Sequence, residues 1–209
     1  MGHRGSARCD LLGSGVVAGP DVLSALVFQI EYWWVAGFRP RLNGLTDEEY
    51  LWEPVANCWT LHPTDDGRVL YDHAWPPPRP SPFTTIAWRL CHIGVGCLAN
   101  RASRLFPETA PAPLTARMWE GPVSFPTTAD GALAFLDEWW DAWRSGLLAA
   151  GEDALWEPIG DREWDIPSMR LGRSDPAIGL VLHVHREVMH HGAEVCLIRD
   201  LYRHESQAS

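Results

Sequence analysis

The chain has 209 residues, a formal net charge of −10 and 46% hydrophobic residues, enough for a single domain with a full core. The acidic balance argues against nucleic acid and against an anionic membrane surface as partners. The 5 cysteines (Cys9, Cys58, Cys91, Cys97 and Cys196) form no Cys-x-x-Cys pair and no even framework, which fits a reducing compartment better than a disulfide scaffold.

Residues 1–19 are glycine-rich and aperiodic and read as a flexible N-terminal arm. The opening Met-Gly-His-Arg-Gly-Ser matches a loose myristoylation pattern that is too short to assign an anchor. The apolar stretch 12–38 is broken by Pro20, Asp21 and Glu31, so no membrane span is expected, and no targeting segment stands out. The expectation is a cytoplasmic protein. Asp21 can cap a first helix over 21–38, with Leu23, Leu26, Val27, Ile30, Trp33 and Trp34 as its inward stripe. Thr46-Asp-Glu-Glu49 is a capping-box pattern and predicts a short turn of helix at 46–51. Residues 54–82 are proline-rich and irregular, a length at which a loop is functional or disordered.

A second helix is predicted over 84–105. Its seam, Trp88, His92, Val95 and Ala99, puts an imidazole on a buried stripe, while Cys91 points elsewhere. Residues 107–126, with Pro107, Pro111, Pro113, Pro122 and Pro126, form another long connection. A third helix over 128–149 carries Leu133, Leu136, Trp140, Trp143 and Leu147 on one face. After a connection over 151–175, Asp175-Pro176 suits the start of a fourth helix running to about 203. Leu51-Trp-Glu-Pro54 recurs as Leu155-Trp-Glu-Pro158, an echo too short to establish a repeat.

The last helix carries the chemistry. Val184, Val188, Val195, Ile198 and Tyr202 mark its seam, and the position missing from that series is His191. Glu187 lies one turn earlier, about 40° away at roughly 100° per residue. A buried carboxylate needs a partner, and a carboxylate and an imidazole at that spacing can hold one metal ion. By the same phase His185 falls on the far, solvated side, and His183 and His190 lie at the edge. His92, on its own buried seam, would complete a three-ligand set with open positions, although spacing alone does not bring it near the last helix. A rival cluster, His183, Glu187, His190 and Glu194, shares about 60° of arc outside the core. No segment shows sustained strand alternation. The pattern predicts an all-α, up-down four-helix bundle with long proline-rich connections, its domain spanning 20–204 and followed by a frayed tail at 205–209.

Two passages carry a family resemblance: Ile86-Ala-Trp88-Arg-Leu-Cys-His92-Ile-Gly, and His-Arg-Glu187-Val-Met-His-His191-Gly-Ala-Glu194 followed by Leu197-Ile-Arg-Asp-Leu-Tyr202. Together with the Leu51-Trp-Glu-Pro54 turn, they resemble the DinB-like superfamily over about residues 21–203. Carried over by position, the family's metal ligands fall on His92, Glu187 and His191. Glu187 stands where many members have His, which resembles the mycothiol-dependent maleylpyruvate isomerase branch. Gly192-Ala193-Glu194 replaces the usual Arg-Gly-Gln and leaves the contacts behind the ligands open to question.

The resemblance implies a divalent metal, zinc or nickel first and iron or manganese next, and a low-molecular-weight thiol such as mycothiol or bacillithiol. A metal lowers the pKa of a thiol, which then attacks a small-molecule electrophile in a transferase or isomerase reaction. In that reading His190 supports a ligand or carries a proton, and Trp88 walls the cofactor pocket. The plainer roles are a solvated histidine and core packing. A metal-dependent hydrolase and a non-catalytic metal-binding or stress-response bundle are the alternatives. The oligomeric state is left open: related bundles are often dimers, and Trp33-Trp34 and Trp139-Trp140 each place one ring off its seam, where it could serve a homodimer interface.

Overall fold

A computed structural model describes residues 21–76, 78–114, 117–162 and 171–208. The expected arm at 1–19 lies outside the described residues. The fold is mostly helical. Asp21 caps α1 (Val22–Tyr32) by accepting the Ser24 amide at 2.6 Å, and the helix then widens into a π-helical stretch, Trp33–Phe38. Thr46 caps α2 (Asp47–Leu51), as the capping-box pattern predicts, by accepting the Glu49 amide. Glu49 does not close the box. Its carboxylate turns inward and takes both Nε and Nη2 of Arg199, at 2.8 and 3.2 Å. Tertiary contact wins there because Arg199 is fully buried and needs a counter-charge.

Among its described residues the connection after α2 contains strands, which the sequence pattern did not predict. β1 (Leu61–Pro63) and β2 (Val69–Tyr71) form an antiparallel hairpin with Leu61 opposite Tyr71 and Pro63 opposite Val69. Strands this short show almost no alternation, and their register rests on Leu61 and Val69 being buried. Gly67, at φ +77°, makes the turn. Val69 also exchanges both backbone hydrogen bonds with Val123, at 2.9 Å each, so the two proline-rich connections are tied together.

The second long helical span begins at Thr85, whose side chain accepts the Trp88 amide. It comprises α3 (Ile86–Cys91), a π-helical stretch His92–Ala99, and α4 (Asn100–Leu105). Gly94 within it lies against Phe125 and Phe135, where an added Cβ would sit 3.1 Å from both rings. Next come α5 (Ala129–Ala150), α6 (Asp153–Trp156) and α7 (Ile178–Ala208). Thr128 caps α5, accepting the Gly131 amide. α7 starts later than Asp175-Pro176 predicts. The Asp175 carboxylate accepts the Gly172 amide instead, which makes it the brace of the preceding turn. α7 also continues to Ala208, past the expected end near 203.

The core forms where α7 packs against α3 and the His92–Ala99 stretch, while α5 packs against that stretch and against α1. Two inward expectations change as a result. His185, expected in solvent, is 1% exposed, and its Nε2 accepts the Trp143 Nε1–H at 3.2 Å. Its other ring nitrogen, Nδ1, has no hydrogen-bond partner. Trp139 and Trp140 are both buried, and Trp140 stacks on Trp34 at 4.5 Å. In each case the helix has neighbours on two sides, so directions about 100° apart both face protein. The two Leu-Trp-Glu-Pro turns also differ: Trp52 packs edge-on against Tyr202, whereas Trp156 is exposed. No helix among the described residues is long and apolar enough to cross a membrane.

Candidate metal centre

His92 begins a π-helical stretch in the middle of a long helical span, a place where backbone irregularity often marks a functional position. Glu187 and His191 come from successive turns of α7, which packs directly on that span. The fold therefore brings together what spacing alone could not. Ligand atoms of His92, Glu187 and His191 all lie within 4.8 Å of one another. Glu187 Oε2 is 3.1 Å from His191 Nε2 and 3.6 Å from His92 Nε2. The two imidazoles meet edge to face with ring centroids 4.7 Å apart.

The donor set fits a divalent cation. Metal–ligand bonds of about 2.1 Å place neighbouring ligands within about 4 Å of each other, close to the spacing found. His92 Nε2 is buried without a hydrogen-bond partner, and an unpaired buried nitrogen costs about 1–3 kcal/mol unless something binds it. Two imidazoles and a carboxylate suit zinc, nickel, iron or manganese.

Each ring is held through its other nitrogen. His191 Nδ1 donates to Glu194 Oε2 at 2.6 Å, the arrangement in which a carboxylate orients a ligating imidazole. Arg89 Nη1 also lies 3.2 Å from that nitrogen. The short carboxylate contact requires a proton on Nδ1, so Arg89 acts as the ion-pair partner of Glu194, with Nε 3.0 Å from Oε2. Its guanidinium rests on the Trp88 ring, 4.8 Å from the centroid. Glu194 thus makes the contact behind His191 that replacement of the usual Arg-Gly-Gln had left open. His92 Nδ1 lies 3.2 Å from the Tyr71 hydroxyl.

The electrostatics favour an ionised Glu187 and a neutral His92. Burial pushes the Glu187 carboxyl upward, but hydrogen bonds from His191 and Arg186 outweigh it and hold the group well below the ordinary carboxylate range. Burial dominates at His92 and keeps it below its ordinary value, so the ring is neutral. His191 is burdened by burial too, yet its hydrogen bonds to Glu187 and Glu194 lift it above the ordinary value. Without metal, His191 tends to imidazolium between two carboxylates. A cation held by these residues takes the place of its Nε2 proton.

The remaining candidates fall around this centre. Trp88 is 6% exposed, stacks parallel to His92 at 5.6 Å and donates Nε1–H to the Asp72 carbonyl. It backs a ligand. His190 is exposed, with Nε2 3.4 Å from Glu194 Oε1 and its ring centroid 4.8 Å from that of His191. The rival set of His183, Glu187, His190 and Glu194 is not brought together. Glu187 Oε2 turns inward, and His190 and Glu194 group with His191 instead. His183 stays beside Glu187 Oε1 at 3.6 Å, and burial lowers its pKa to about 4. A cleft of 280 Å³ is lined by Arg89 and Glu194 together with Pro82, Phe83, Thr84, Leu197 and Ile198.

Tyr71 and Arg89 were not singled out from the sequence. Tyr71 sits in a segment that reads as irregular loop. Arg89 is one of many arginines and only its neighbour Trp88 carries a motif. The family model described as the DinB superfamily matches residues 34–195. No curated protein and no solved structure matches the chain.

Proposed function

From the premise that the chain belongs to the DinB superfamily, we propose that it is a divalent-metal enzyme that uses a low-molecular-weight thiol in a transferase or isomerase reaction. The observation that carries the reading is the convergence of His92, Glu187 and His191 from two helices, with His92 Nε2 buried and unpaired. In the same reading the four long helical spans are an up-down four-helix bundle, supported by the packing of α7 and α5 around the His92–Ala99 stretch. A bound divalent cation would lower the pKa of a thiol at this site and give the nucleophilic thiolate at neutral pH.

The chain's own residues have separate tasks. His92 and His191 supply neutral nitrogens, and Glu187 supplies the charge that offsets the cation. Glu194 keeps the Nδ1 proton of His191 in place, so that Nε2 faces the ligand set. Trp88 and Tyr71 wall one side with stacked rings 4.5 Å apart and reduce water access to His92. Arg89, beside the cleft, offers a guanidinium to an anionic part of a thiol or electrophile. Cys58, Cys91, Cys97 and Cys196 are free thiols, in keeping with a reducing cytoplasm where such cosubstrates are abundant.

The test begins with metal content of the purified chain beside His92→Ala and His191→Ala. About one metal per chain, lost in both variants, supports the site. The cobalt-substituted protein is then titrated with mycothiol, bacillithiol and cysteine. A sulfur-to-cobalt charge-transfer band supports the thiol reading. Its absence, with hydrolysis of activated esters instead, moves the reading to a hydrolase, and the absence of both moves it to a non-catalytic metal-binding bundle.

A further inference from the structure

The proline-rich connection ahead of α3 holds a residue that completes the metal centre. We propose that Tyr71 is a positioning residue for His92, its hydroxyl oxygen accepting a hydrogen bond from the ring's Nδ1–H so that the Nε2 lone pair is presented to the metal. The proposal rests on the reading of His92, Glu187 and His191 as metal ligands.

A neutral imidazole carries one N–H, and whichever nitrogen holds it cannot bind a metal. The Tyr71 hydroxyl, 3.2 Å away, is the hydrogen-bond partner of His92 Nδ1 among the described residues, and Nε2 has none. With the hydroxyl oxygen accepting from Nδ1–H, the tautomer matches the one the ligand set needs. The ring has little freedom to escape that contact. Trp88 lies parallel to it at an interplanar angle of 5°, and Tyr71 in turn stacks on Trp88. On the next helical turn, a Cβ at Gly96 would sit 3.6 Å from Nδ1 and 2.8 Å from Met118 Sδ, so that side of the ring is already tightly filled.

The backbone around Tyr71 is held from several directions. Tyr71 ends β2, paired with Leu61 across the hairpin. Val69, two residues earlier, is locked to Val123 of the other long connection. The Asp72 carbonyl, one residue later, accepts Trp88 Nε1–H at 2.9 Å. A helix bundle alone would supply the three ligands. The tautomer of one of them is set by a hairpin outside the bundle, and ligand affinity thereby becomes coupled to the folding of residues 59–72. Partners of this kind are worth about 10–100-fold in metal affinity where they have been removed from histidine ligands.

The experiment is zinc affinity by chelator competition at neutral pH, wild type against Tyr71→Phe, which keeps the ring stack and removes only the hydroxyl. The expected result is affinity about 10–100-fold weaker with an unchanged unfolding midpoint of the metal-free protein. Unchanged zinc affinity in a folded variant overturns the role of Tyr71. Wild-type protein that takes up no zinc, nickel or manganese overturns the metal-site reading itself and needs no variant to do so. Should Tyr71→Phe fail to fold, long-range proton–nitrogen NMR of the wild-type zinc complex decides. A slowly exchanging proton on His92 Nδ1 supports the proposal, and a ring with no proton there, or one exchanging freely with water, overturns it.

Discussion

His92→Ala separates metal binding from folding more cleanly than any other single change. In the metal-free protein its cost is modest, because opposing terms nearly balance. Truncation forfeits the parallel stack on Trp88 and the 3.2 Å hydrogen bond of Tyr71, together worth about 2 kcal/mol. It also removes a buried, unpaired Nε2, which relieves about 1–3 kcal/mol. The cavity left by the ring adds a further cost, so the net effect is a loss on the order of 1–2 kcal/mol. Metal linkage behaves differently. Zinc at 100 times its dissociation constant stabilises the wild type by about 2.7 kcal/mol. For a chain of this length that is an increase of roughly 5–11 °C in Tm. The variant, left with Glu187 and His191 alone, should lose nearly all of this increase. The assay is calorimetry or circular-dichroism melting of both proteins in EDTA and then in excess zinc. A variant that keeps the wild-type zinc increase would refute the two-helix site and return the argument to groups on α7 alone, such as His190, His191 and Glu194.

The Glu49–Arg199 pair is buried on both sides, so removing one partner leaves a lone buried charge: Arg199→Met should cost about 3–5 kcal/mol by urea unfolding, and Glu49→Leu combined with Arg199→Met should cost less than either alone. Costs that simply add would show that the two residues do not act as a pair. His185 carries a pH dependence of its own. Burial lowers its pKa to about 4, against about 6.5 in the unfolded chain. The unfolded state therefore binds the proton first, so the stability linked to this residue is fully present above about pH 6.5 and is lost as pH falls toward 4. The loss is up to about 3 kcal/mol. His185→Leu should flatten the decline in unfolding free energy between pH 7 and pH 5, and an unaltered slope would show that His185 is not the group responsible.

The sequence pattern carried the helices well where a cap met a stripe. Asp21, Thr46 and Thr128 begin helices within a residue or two of the expected positions, because a side-chain oxygen over the first turn is a local interaction. The pairing of Glu187 with His191 on α7 was equally legible, since the two are neighbours by helical geometry alone. The pattern failed where packing came from more than one side. His185 and Trp139 lie off any single stripe yet are buried, because α7 and α5 each meet two neighbours. It failed again at the hairpin, whose three-residue strands hold together through Leu61, Val69 and a bond to Val123 from the next connection. Asp175 shows a subtler failure: the right residue for a cap is used to brace the turn before the helix.

Sequence alone was enough to determine an acidic, mostly helical chain with imidazoles on two apolar seams and a carboxylate one turn from the second, since each of these is a matter of composition or of 3.6-residue periodicity. Only the tertiary structure decided that the two seams face one another, that Glu187 Oε2 turns inward to His92 and His191 while Oε1 stays beside His183, and that Glu194 and Tyr71 stand behind the two rings. Those decisions depend on contacts between residues as far apart in the chain as His92 and His191. No local pattern encodes a distance across the core, and packing sets it only after every seam has found its partner.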